Sequence, residues 1–141
     1  MLMGEFEHTI DAKGRLFIPA KMREELGKPF YITKGFDGCL TVYPKEAWDR
    51  LTERMSQQDL PGKDARNVSR FLLGGAVEVE TDKQGRVLLP ANLRRHAHIT
   101  ENVTIVGVGS RAEIWDTERY NAYAEDASAD VENAVERLSI D

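Results

Sequence analysis

The stretch Ile10-Asp11-Ala12-Lys13-Gly14-Arg15-Leu16-Phe17-Ile18-Pro19-Ala20 decides the fold, because the chain uses it twice. It returns as Thr81-Asp82-Lys83-Gln84-Gly85-Arg86-Val87-Leu88-Leu89-Pro90-Ala91. Asp11, Gly14, Arg15, Pro19 and Ala20 recur as Asp82, Gly85, Arg86, Pro90 and Ala91, all at a spacing of 71. Glu7 and Arg23 recur as Glu78 and Arg94 at the same spacing. So many identities at one offset mark a single unit present twice.

The local chemistry of the unit follows from its residues. Asp accepts hydrogen bonds from backbone N–H groups just ahead of it, and Gly takes the positive φ that closes a tight turn. Asp11, Gly14, Asp82 and Gly85 are therefore the turn-forming residues. Apolar strand formers follow at once, Leu16-Phe17-Ile18 and Val87-Leu88-Leu89. The pattern predicts a β-hairpin in each copy. Pro19 and Pro90 end the strands and suit the first turn of a short helix. Cations sit at each hairpin tip, Lys13 and Arg15 on one, Lys83 and Arg86 on the other.

Working outward, Glu5 to Ile10 alternates with period two and reads as the first hairpin arm, with Phe6, His8 and Ile10 on the apolar side. Phe30 to Lys34 and Cys39 to Tyr43 read as strands around the turn Gly35-Phe36-Asp37-Gly38. Pro44 opens a predicted helix with Trp48, Leu51 and Met55 on one face. A connector from Gln57 to Lys63 holds Pro61-Gly62, and a second helix runs from Lys63 to Leu73, ended by Gly74-Gly75. Val103 to Val108 aligns with Tyr31 to Phe36 at a spacing of 72, and Ala112 to Trp115 aligns with Leu40 to Tyr43. The expected organisation is a repeat over 5–47, a helical connector over 48–75, a second repeat over 76–120, and an acidic tail over 121–141 that is helical or disordered.

Composition bounds the function. At 141 residues, with 41% hydrophobic and 30% charged residues, the chain reads as an ordinary soluble globular protein. No apolar run approaches the ~20 residues of a membrane span. The N-terminal residues lack a signal-peptide pattern, and a lone cysteine, Cys39, fits a reducing cytoplasm. Each repeat is near the size at which a lone core is marginal, so the copies are expected to share a core and the chain to self-associate. Net charge is −5 and resides in the tail, where six acids face one base, Arg137; the remaining residues balance 18 bases against 18 acids. The tail's charge opposes phosphate, so DNA binding is not expected to need it.

Catalysis finds no support. There is no nucleophile–base pairing, no phosphate-binding glycine loop and no metal set. His96 and His98 form an H-x-H pair without the further ligands that zinc requires. No cofactor is expected. Arg66 and Arg70, four apart, read equally as phosphate contacts or as a solvated helix face.

The twice-used D-x-x-G-R hairpin, the opening Met1-x-Met3-Gly4-Glu5-Phe6-Glu7-His8-Thr9-Ile10 and the segment Phe36-Asp37-Gly38-Cys39-Leu40-Thr41-Val42-Tyr43-Pro44 resemble the MraZ family, over about residues 1–120. The resemblance implies a mainly β, α+β fold with short helices: two tandem AbrB-like swapped-hairpin β-barrel repeats that pair as an internal pseudo-dimer. It implies a ring-shaped homo-oligomer that binds G-rich repeats in double-stranded promoter DNA of its own division and cell-wall gene cluster and represses it. It places the protein in the cytoplasm, at the nucleoid. Carried onto this sequence, it makes Lys13, Arg15 and Arg86 DNA-binding residues, with Lys83 as the second repeat's lysine; on charge, Lys21, Arg23 and Arg94 are candidate phosphate contacts. Repeat two has Gln84 where repeat one has Lys13 and supplies Lys83 one position earlier.

Two alternatives stand beside this reading. Arg15 and Arg86 can fold back on Asp11 and Asp82 and brace the turns. The chain can also be an antitoxin-like interaction module without DNA function, its acidic tail covering a basic partner; that tail lacks the aromatic anchors typical of such a site.

Overall fold

The computed structural model describes residues 1–57 and 62–140, so residues 58–61 of the expected connector, Pro61 among them, lie outside the described residues. The first half of the chain runs β1 (Leu2–Thr9), β2 (Arg15–Phe17), α1 (Ala20–Leu26), β3 (Phe30–Lys34), β4 (Leu40–Pro44), α2 (Lys45–Gln57) and α3 (Lys63–Leu72). The same order follows as β5 (Val77–Val79), β6 (Arg86–Leu88), α4 (Ala91–His96), β7 (Asn102–Gly109), β8 (Ala112–Asp116), α5 (Thr117–Ser128) and α6 (Val131–Leu138). Pro19 and Pro90 cap α1 and α4 from just outside rather than sitting in the first turn. Pro44 likewise ends β4 instead of opening α2, because its carbonyl side still belongs to the ladder that pairs it with Phe30.

The strand pairing departs from a simple hairpin. Each turn closes as expected, with Asp11 N donating to Arg15 O (3.0 Å) and Gly14 N to Asp11 O (3.0 Å), repeated at Asp82 and Gly85. Beyond the turn the two arms of a repeat part company; among the described residues only an isolated bridge, Ile10 to Leu16 in repeat one, joins them. β1 pairs instead with β7, β5 pairs with β3, and β2 pairs with β6. Each repeat thus gives its first strand to the other's sheet. The physical reason is size: each repeat is near the limit at which a lone core is marginal, and exchanging β1 and β5 lets the two repeats bury their apolar sides together.

The result is an antiparallel six-stranded sheet, β1-β7-β8-β4-β3-β5, and a separate ribbon, β2-β6. The sheet order reads the same from either end when the repeats are exchanged. No closed barrel forms among the described residues. Closure requires the edges to meet, whereas β1 and β5 end the sheet and the ribbon strands ladder only with each other. The fold is also less dominated by β structure than expected: among the described residues more lie in helices than in strands, because α2, α3, α5 and α6 follow the strands of each half.

The ladders also correct the alignment of the second repeat. Ile32 faces Val77 and Val42, and Ile105 faces Phe6 and Ile114. Ile105 is therefore the counterpart of Ile32, at a spacing of 73 rather than 72. A slip of one residue exchanges the two faces of a strand, so the register, not the letter match, decides.

One apolar cluster holds the molecule together. Leu16, Ile18, Met22 and Leu26 meet Val87, Leu89, Leu93 and Ala97 over the sheet residues Phe30, Ile32, Val103 and Ile105. Both repeats contribute matching positions, so neither owns the core. Trp48 of α2 stacks on Tyr31 (5.1 Å) and tilts onto Tyr43, while Tyr120 and Tyr123 of α5 close on Trp115. Helix α5 thus runs through Tyr120 into the acidic segment, where α6 follows. Cys39 is fully buried, and burial pushes its thiol up to about 12, the behaviour of a small core residue rather than a nucleophile.

Candidate nucleic-acid interface

Each D-x-x-G-R turn is built by its aspartate. Asp11 Oδ1 accepts from the backbone N–H groups of Lys13 (3.0 Å) and Arg15 (2.9 Å). Asp82 Oδ1 accepts from Gln84 and Arg86, both at 2.9 Å. Gly14 and Gly85 take φ of +85° and +80°, which the turn needs and a side chain resists. The backbone donors of Arg15 and Arg86, foremost, hold the two carboxyls below their ordinary pKa.

The second oxygen of each carboxylate holds the arginine. Arg15 Nε donates to Asp11 Oδ2 at 2.6 Å, and Arg86 Nε donates to Asp82 Oδ2 at 3.0 Å. Arg86 Nη1 also lies 3.9 Å from Asp11 Oδ2, so the pairs touch across the repeats. The bracing arrangement is thus present. It leaves the Nη groups of Arg15 without a hydrogen bond among the described residues.

The ribbon places the arginines side by side instead of on two remote tips. Arg15 lies opposite Leu88, and Phe17 opposite Arg86. Side chains alternate along a strand, so Arg15, Phe17, Arg86 and Leu88 share the outer face while Leu16 and Val87 point inward and are buried. Leu89 N donates to Gly14 O and Ile18 N to Gly85 O, both at 2.8 Å. These bonds make Arg15–Leu88 and Phe17–Arg86 the non-hydrogen-bonded kind of pair, whose side chains approach most closely. Lys13 and Lys83 are exposed on the turns that flank this face.

Arg23 and Arg94 lie half-buried against the turns. Arg23 Nη1 donates to Ile18 O (2.7 Å) and Arg94 Nε to Leu89 O (3.0 Å). Each guanidinium also packs on the other repeat's turn glycine, Arg23 on Gly85 and Arg94 on Gly14. Arg23 further covers the Phe17 ring, 5.2 Å from its centroid, and His8 meets the same ring edge-on at 5.1 Å. Lys21 is exposed on the first turn of α1. Arg66 and Arg70 are exposed on α3, where Arg70 reaches Asn67. The histidine pair divides: His96 shares a hydrogen bond with Gly35 O (3.1 Å), and His98 is exposed with φ of +54° at the position that Gly27 fills in repeat one.

Sequence reasoning missed the outer-face role of Phe17 and Leu88 and the turn-supporting role of Arg23 and Arg94. For the arginines a signal existed, since they recur at the same spacing as the turn glycines. Leu88 carried none, because the strand's facing depends on a partner strand 71 residues away.

Chemically, the face offers planar guanidinium edges for paired acceptors and flanking ammonium groups for anionic oxygens. The family model "MraZ protein, putative antitoxin-like" matches residues 1–71 and again 72–140. The chain belongs to the MraZ family. The match takes in the acidic segment, which the sequence motifs had left outside. A transcriptional regulator MraZ of Heliobacterium modesticaldum is 52% identical over 138 residues, 98% of this chain and 96% of that protein. One from a Thermoanaerobacter species is equally similar, 52% over the same length. The Limosilactobacillus reuteri relative is 48% identical over 141 residues, 100% of this chain and 99% of its own. MraZ relatives are thus named for regulating transcription and not for an enzymatic reaction. Among the described residues no helix is long and apolar enough to cross a membrane.

Proposed function

We propose that this chain is a sequence-specific DNA-binding regulator of transcription, a repressor of its own division and cell-wall gene cluster that reads G-rich promoter repeats. The observation that carries it is the pair Arg15 and Arg86 on one outer face, each with Nε fixed by an aspartate. A guanidinium so fixed presents its remaining N–H groups in one plane, the geometry that meets guanine O6 and N7. A two-stranded ribbon fits the major groove. Lys13, Lys83 and Lys21 meet the flanking phosphates, and Arg23 and Arg94 support the turns and reach phosphate with the donors left over.

In this reading residues 5–47 and 76–120 are AbrB-like swapped-hairpin units, 48–75 connects them, and 121–141 lies outside the reading face. The protein acts in the cytoplasm, at the nucleoid, as a ring of identical chains. Exposed Val68 on α3 and Leu73 at its end, and Val131 and Leu138 on α6, are the apolar surface that self-association covers.

A gel-shift with the DNA upstream of the protein's own gene tests this. Retardation at far lower protein concentration than for scrambled DNA is expected. Equal retardation of both, or none, refutes it. Sedimentation at micromolar concentration tests the ring separately: a lone 15.9 kDa species refutes it.

A further inference from the structure

An exposed leucine is ordinary on a protein surface, and only its placement makes it informative. Leu88 is 58% exposed, at the end of β6 opposite Arg15, on the face that holds Arg15 and Arg86. Its counterpart Phe17 is covered, by His8 at one edge and Arg23 over the ring. At the position of His8, repeat two has Val79, and the smaller leucine takes the place of the ring, so Leu88 stands bare. The two halves of the face are thus alike in arginine and unlike in their apolar member.

We propose that Leu88 is a specificity-determining residue that packs on the C5-methyl group of a thymine beside the guanine met by Arg15. The inference rests on the DNA-binding reading above. Thymine is the base that shows an apolar group in the major groove, and an apolar side chain is its complement. The spacing fits. The Cα atoms of a non-hydrogen-bonded pair stand about 4.5 Å apart, close to the rise of about 3.4 Å between successive bases along a strand. With the Arg15 head fixed through Nε to Asp11, Leu88 falls at the neighbouring base step. Phe17, pinned under Arg23, does not offer the same contact beside Arg86. The face therefore distinguishes the two directions along the duplex, and the site it prefers is not a palindrome.

The test replaces each thymine of the bound upstream fragment, one at a time, with deoxyuridine, which removes the methyl group and nothing else. For the wild-type chain one replacement per contacted repeat weakens binding by about fourfold, the worth of one buried methyl group. Leu88→Ala loses a similar factor on the thymine-containing DNA and is indifferent to that replacement. Its sedimentation and circular dichroism match the wild type, since the side chain is exposed. A wild-type chain indifferent to every replacement overturns the proposal while leaving the DNA-binding reading intact. So does a Leu88→Ala chain that keeps the wild-type pattern of losses. Dissociation of the Leu88→Ala assembly overturns it in favour of a contact between copies. Failure of the wild type to bind the fragment at all sinks both readings.

Discussion

The guanidinium of Arg23 fills the space that a side chain on Gly85 would need. The two residues belong to different repeats, so this contact couples one repeat's helix to the other's turn. A methyl group at Gly85 would drive Arg23 off, breaking its bond to Ile18 O as well as straining a backbone with φ of +80°. Gly85→Ala is expected to cost about 2–4 kcal/mol, from the left-handed backbone and the broken charged hydrogen bond together. In an Arg23→Ala background the same change should cost only the backbone part, about 1–2 kcal/mol. Denaturant unfolding of the four proteins measures the coupling. Additive costs would show that the contact does not join the repeats.

The turn aspartates make stability depend on acid. Their folded carboxyls bind a proton less readily than the unfolded ones, whose ordinary pKa is 3.8. Just below that value the unfolded chain holds more protons, so stability rises with pH there. The contribution is complete above pH 3.8 and is lost as pH falls through the folded values. Asp11→Asn with Asp82→Asn should therefore melt below the wild type at neutral pH, and the gap should narrow as pH drops past 3.8. A gap that stays constant down to about pH 2, below the ordinary carboxyl range, would mean the carboxylate charge contributes nothing to the turns.

Arg15 has two candidate duties, bracing Asp11 and reading a base, and their consequences differ in size. As a partly exposed ion pair it adds about 0–1 kcal/mol to stability. As a guanine contact it adds about 1–3 kcal/mol of discrimination per base pair, multiplied when several subunits engage successive repeats. Arg15→Ala should thus melt near the wild type yet lose its preference for operator over scrambled DNA. Retained preference would assign the residue to the brace alone.

What the sequence revealed and what it hid share one cause. Turn chemistry is local: Asp11, Gly14 and their counterparts announced the reversals because their hydrogen bonds span four residues or fewer. The core positions Leu16, Ile18, Val87 and Leu89 were equally legible as apolar strand residues. Pairing is not local. Nothing in the segment around Arg15 says that Leu88 is its neighbour, or that β1 leaves its own hairpin for β7. The repeat itself held a hint, since two like units too small to stand alone must exchange or stack, but not which strands they exchange. The slip at β7 shows the limit of letters, because Val103 and Tyr31 look interchangeable until the ladders place Ile105 opposite Phe6.

Lys13 and Lys83 differ from the arginines in having their charge in water and their side chains exposed. An ammonium group on a flexible stem meets a phosphate as a point charge and carries little sequence information. Lys13→Ala is therefore expected to weaken operator and scrambled DNA alike, leaving their ratio unchanged. For each phosphate that the protein no longer neutralises, the plot of log affinity against log salt should flatten by about 0.9. Lys83→Ala should do the same from the other turn. Because Lys83 stands one position earlier than Lys13, its counterpart Gln84 being neutral, the two effects need not be equal, and their difference measures the asymmetry of the face. The measurement is binding to both DNAs across a salt series, with the variants' melting curves as controls. An unchanged slope with a lowered operator preference would mean that a lysine reads bases here, and the division of labour between arginine and lysine on this ribbon would have to be reversed.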